Sequence, residues 1–121
     1  MKFDWNLGAL ADGLRCYRSQ EFFLAHEHWE SVWLKCQEPE KSFLQALIQM
    51  AAAFHHLQQN NSRGAASLLE AALRKLERYP ARFEGVEVTP LREEIEIWLE
   101  VLEGKDGSPS FPQTQLDFPP E

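Results

Sequence analysis

Residues 40–59 read EKSFLQALIQMAAAFHHLQQ, and this stretch decides the fold. Phe43, Leu47, Met50, Phe54 and Leu57 follow a helical period and form one apolar stripe. Leu44, Ile48 and Ala51 carry that surface further round the cylinder. A helix that is apolar on nearly every side has to be covered by others, so residues 40–59 are expected at the centre of a bundle. The polar groups left over form one narrow row. Gln45, Gln49 and His56 fall at i, i+4 and i+11, with small Ala52 and Ala53 between them, and His55 lies on the other flank near Ile48. Amides and imidazoles on a buried helix need hydrogen-bond partners, so something polar should face this row.

The partner is expected just upstream, in FLAHEHWESVW at 23–33. Ser19 is a candidate cap for a helix from about Gln20 to Cys36. Wound at 3.6 residues per turn, that helix turns Phe22, Ala25, Trp29, Val32, Trp33 and Cys36 to one face. His26 and Glu30 fall on the edge of this face, one turn apart. Both are expected to be half-buried and to look toward the Gln45, Gln49 and His56 row. Glu27 and Ser31 point away, and His28 reads as a surface residue.

Three more helical periods complete an all-α bundle of five. Leu7, Leu10, Ala11, Leu14 and Tyr17 make the stripe of a first helix. Pro39 opens the third, a place in the first turn where proline is well suited. After the NNSRG break at 60–64, Ser62 is the expected cap of a fourth helix to about Arg78, and Gly64 is expected to allow close helix packing. Ala65, Leu68, Leu69, Ala72, Leu73, Leu76 and Tyr79 share its buried side. ARFEGVEV at 81–88 is a loop with room for a short extended piece. Thr89-Pro90 starts a fifth helix, with Leu91, Ile95, Trp98, Leu99 and Leu102 inward and Gly104 at its end. Helices two to four are expected to form the core. Residues 105–121 hold four of the seven prolines and no helical period, so the chain divides into a helical domain at 1–104 and an extended, Pro-rich tail. Phe111, Leu116 and Phe118 are the tail residues able to dock on the bundle.

Composition narrows the partners. Nineteen acidic side chains oppose twelve basic ones, giving a formal charge of -7, whereas nucleic acid and anionic membranes select a basic face. No stretch approaches the roughly 20 apolar residues of a membrane span. Asp4 and Asp12 interrupt any signal-peptide core, which leads to a cytoplasmic expectation. Cys16 and Cys36, twenty residues apart with no CxxC pairing, are expected as free thiols.

His26-x-x-x-Glu30-x-x-Trp33, followed by FLQALIQMAAAFHHLQQNNSRGAASLL, resembles the domain of unknown function 309 family of small bacterial and archaeal proteins. The resemblance runs from about Leu14 to Leu76. The family's His, Glu and Trp correspond to His26, Glu30 and Trp33, and its second block to Gln45, Gln49, His55, His56, Asn60 and Gly64. Ala46 stands where the pattern has glycine, and its methyl would narrow a gap between helices. The resemblance implies a helical bundle and no particular activity.

Three functions follow from these residues. The first is a binding module with a polar cleft around His26, Glu30, Trp33, Gln45, Gln49, His55, His56 and Asn60, taking a small ligand or a peptide. The second is a metal-dependent enzyme, hydrolase-like, in which His26, Glu30 and His55 or His56 ligate a divalent metal. The third is a homo-oligomer subunit whose polar pairs only hold the fold. HEHWE is not the zincin HExxH, because the residue four beyond His26 is Glu30. Glu-x-x-His, GxSxG, P-loop and Gly-rich dinucleotide patterns are missing from the chain.

Overall fold

The computed structural model describes residues 2–104. Five helices follow one another: α1 (Gly8–Arg18), α2 (Phe22–Trp33), α3 (Glu40–Gln58), α4 (Ser62–Leu76) and α5 (Val88–Leu102). Between α4 and α5 lies a small antiparallel hairpin, β1 (Arg82–Phe83) and β2 (Val86–Glu87). The all-α bundle expected from the spacing of apolar residues is the fold. Phe111, Leu116 and Phe118, with the rest of 105–121, lie outside the described residues. No helix among the described residues is long and apolar enough to cross a membrane.

Helix α3 takes the central place for the reason its sequence announces. It buries Phe43, Leu44, Leu47, Ile48, Met50 and Phe54 on different sides of one cylinder. Helix α2 packs on one side of it and α4 on the other, while α1 lies against α2 and α5 against α4. Aromatic clusters grip both ends of α3. Near its start, Phe43 meets Tyr79 at 5.2 Å and Phe83 at 4.8 Å between ring centroids. Near its end, Phe54 meets Phe22 at 5.4 Å and Trp98 at 5.5 Å. The core is wider than helices two to four. Leu10, Leu14 and Tyr17 of α1 and Leu91 and Ile95 of α5 are also buried in it, because α2 and α4 each have a second apolar edge to cover.

The extended piece in ARFEGVEV is a true hairpin. Glu84 and Gly85 take φ of 48° and 83°, the two positive angles that a tight two-residue hairpin turn demands. The amino-terminal segment is pinned on that turn. Phe3 N donates to Glu84 Oε1 at 2.8 Å, and Trp5 Nε1 donates to the Glu84 carbonyl at 2.9 Å. Phe3 and Trp5 are therefore core residues.

Helix ends depart from the expected caps. Ser19 closes α1 and does not open α2: the chain turns left-handed at Gln20, Gln20 N donates to the Tyr17 carbonyl at 2.9 Å, and Glu21 N donates to that of Cys16 at 2.8 Å. Ser62 is the first residue of α4, and the cap is Asn61, whose Oδ1 accepts from Gly64 N at 3.0 Å. Gly64 serves this cap and not helix packing, since a methyl there would lie 2.6 Å from Asn61 Nδ2. Helix α5 begins at Val88, with Thr89 and Pro90 inside its first turn, where unpaired N–H groups make proline tolerable. Leu7, expected on the buried stripe of α1, precedes the helix and is 67% exposed. Neither Cys16 nor Cys36 forms a disulfide, and burial pushes both thiols above their ordinary range.

Candidate functional site

Phe23, at the start of α2, meets His55 near the end of α3, with ring centroids 5.3 Å apart. At the other end, Lys41 Nζ of α3 lies 4.4 Å from the centroid of Trp33 of α2. The two helices therefore run antiparallel, and the seam between them is where the sequence motif has to be judged.

The largest buried side chain of α2 packs on α1. Trp29 stacks on Tyr17 at 5.8 Å, meets Trp5 edge-on at 6.1 Å and donates from Nε1 to the Leu10 carbonyl at 3.2 Å. Gly13 of α1 passes directly under the indole, with no room for a side chain. With Trp29 committed to α1, the helical wheel sets the rest. His26 lies about 60° round from Trp29 and Glu30 about 100°. His26 is accordingly half-buried, as expected, but Glu30 is exposed. That corrects the expectation of a half-buried Glu30. No hydrogen bond or ion pair joins the two among the described residues.

A pocket of about 200 Å³ opens where α2 begins and α3 ends, lined by Phe23, His26, Ala52, His55 and His56. Four of these five are rings. Phe23 packs against His26 at 5.9 Å as well as against His55, and His55 lies 6.3 Å from His56. The small side chain of Ala52 leaves the space between them. Both histidines of α3 reach the pocket, although they stand on different flanks of the helix.

His56 is held from behind. The Asn61 amide is oriented by Gly64 N, which donates to its oxygen, so Asn61 Nδ2 is left to donate to His56 Nδ1 at 3.0 Å. The neutral ring then carries its proton on Nε2. Asn60 takes no part: it is exposed, with φ of 61°, at the left-handed turn that ends α3. Asn61 N closes that turn on the His56 carbonyl at 2.8 Å.

Along the same seam, three buried polar atoms have no hydrogen-bond partner: His26 Nδ1, Trp33 Nε1 and Gln49 Oε1. A buried polar atom left unpaired costs about 1–3 kcal/mol. Gln45 is half-buried and does not line the pocket. Among the described residues, no three His, Cys, Asp or Glu side chains are grouped to hold a metal ion. The expected ligand set of His26, Glu30 and His55 or His56 therefore does not assemble, since Glu30 turns outward.

Residues 10–68 match the model of the family described as "Domain of unknown function (DUF309)". These residues are similar to the DUF309 family. The DUF309 match takes in all of α2 and α3, and with them every residue lining the pocket. The chain is also similar to a protein of Aquifex aeolicus (strain VF5) described as "Uncharacterized protein", with 30% identity over 103 residues. That alignment covers 83% of this chain and 30% of the relative, so the chain spans less than a third of the relative's length. Sequence reasoning missed Phe23, Lys41 and Asn61. Phe23 had a signal, three residues before His26 on the same side of the helix. The other two had none short of the fold.

Proposed function

We propose that this protein is a small binding module whose ligand seat is the pocket between the start of α2 and the end of α3. The observation that carries this reading is the pocket itself, about 200 Å³, lined by Phe23, His26, Ala52, His55 and His56. Its size suits a ligand of one ring with a substituent: a cavity of about 150 Å³ accepts benzene, and drug-sized ligands take about 300 Å³ or more. The unpartnered His26 Nδ1 in its lining supports the reading, because a chain selected for stability alone would replace such a group. The seat is narrower than the cleft expected from sequence: Glu30, Trp33, Gln45, Gln49 and Asn60 lie outside its lining.

A fragment screen followed by amide and imidazole spectra of the full chain tests this. Shifts gathered at residues 23, 26, 52, 55 and 56 are the expected result. Shifts gathered elsewhere, or none with fragments at millimolar concentration, refute it.

A further inference from the structure

The chemistry of the pocket lining selects among ligands, granted that the pocket is a binding seat as proposed above. Three of its five side chains are imidazoles and none is a carboxylate, in a chain whose formal charge is -7. His56 is the best-defined group. Its Nδ1 is taken by Asn61 Nδ2, whose orientation is fixed in turn by Gly64 N, so Nε2 is a hydrogen-bond donor. A donor wants an acceptor from the ligand, and an acceptor that carries charge makes the stronger bond.

The helix ends agree. Helix α2 begins beside the pocket with no side-chain cap, and the positive end of its dipole favours negative charge there. The negative end of α3 is closed, because the N–H groups of Gln59, Asn60 and Asn61 bond the carbonyls of His55, His56 and Leu57. The remaining lining, Phe23 and Ala52, is apolar. Phe23 is 48% exposed at the rim, its ring tilted 46° to that of His55, and Ala52 forms the floor between the rings.

We propose that this pocket takes a small planar anion, an aromatic carboxylate of about benzoate size. The ring lies against Phe23 and Ala52, and the carboxylate accepts from the imidazole edge that includes His56 Nε2. A cationic ligand of the same shape meets a donor N–H and the positive end of a helix dipole, and it finds no carboxylate in the lining to pair with.

Benzoate, benzamide and benzylamine, three probes of matched shape and different charge, decide the matter when each is titrated into the full chain at one pH and ionic strength. The readout is the amide and imidazole resonances of residues 23, 26, 52, 55 and 56. Benzoate is expected to bind about tenfold more tightly than benzylamine, with benzamide between them. His56→Phe keeps the ring and removes the donor, and is expected to erase most of benzoate's advantage over benzamide. Ala52→Leu fills the floor without touching an imidazole, and is expected to block all three. Equal or tighter binding of benzylamine overturns the anion assignment and leaves the binding seat standing. Benzoate shifts confined to surface arginines and lysines overturn it too. If the fragment screen yields no ligand at these residues and all three probes fail as well, the seat itself falls.

Discussion

Gly13→Ala is the sharpest test of how α2 is oriented, since that orientation places His26 in the pocket and Glu30 outside it. A methyl on Gly13 would lie 2.9 Å from Trp29 Cε2 and closer still to Nε1 and Cδ1. The indole has no retreat: it is fully buried, with Tyr17 stacked on it at 5.8 Å and Trp5 against it at 6.1 Å. Overpacking of this kind costs about 1–3 kcal/mol. Loosening the bond from Trp29 Nε1 to the Leu10 carbonyl adds about 0.5–1.5 kcal/mol. Alanine's better helix propensity returns about 1 kcal/mol. The expected net loss is therefore about 0.5–3.5 kcal/mol, a fall in Tm of roughly 2–20 °C for a domain of this size. Thermal unfolding followed by circular dichroism measures it, with the Trp29 indole N–H resonance as the local probe. A Tm equal to or above the parent's refutes the packing, because propensity alone would then have set the sign.

Glu30→Ala is expected to change stability by less than about 0.5 kcal/mol, since Glu30 is exposed and unpaired; a loss of 1 kcal/mol or more in a denaturant melt would reveal a partner. Gln49→Met should raise stability by about 1 kcal/mol by removing a buried, unsatisfied oxygen, and a lower unfolding midpoint would mean that Oε1 is satisfied after all. Burial, and then the charge of Glu94, hold the Tyr17 phenol well above its usual range. Because the folded-state value is the raised one, this contribution is complete below the ordinary phenol range of about 10 and is lost as pH rises beyond it. Phenolate absorbance from Tyr17 should therefore appear only as helical dichroism disappears, and ionisation with the helices intact would contradict its burial. The Glu38 carboxyl, which accepts from Ser42 Oγ at 2.6 Å and Ser42 N at 3.0 Å, is held below the usual carboxylate range. Its folded-state value is the lowered one, so this bond helps above about pH 4–5 and is lost on further acidification. Ser42→Ala should move the titration midpoint of Glu38 upward in a carboxyl-carbon spectrum; an unmoved midpoint would assign the shift to another cause.

The sequence by itself determined that the chain is a bundle and which helix is inside. Phe43, Leu47, Met50 and Phe54, like Ala65, Leu69, Ala72 and Leu76, recur at the helical period, and burial of a stripe depends only on that local spacing. It also marked His26, His55 and His56 as unusual, because imidazoles beside apolar stripes stand out in one dimension. Only the tertiary structure decided which of those groups meet. Trp29 is claimed by Gly13 and Leu10 of α1, and that rotation carries His26 into the pocket and Glu30 out of it. Phe3 and Trp5 are core because Glu84, some eighty residues on, accepts their N–H groups. Asn61 and not Ser62 caps α4, and in doing so it sets the tautomer of His56. Periodicity assigns a residue to a face of its own helix; the direction of that face in space depends on the neighbouring helices, and their packing is decided by shape over the whole chain.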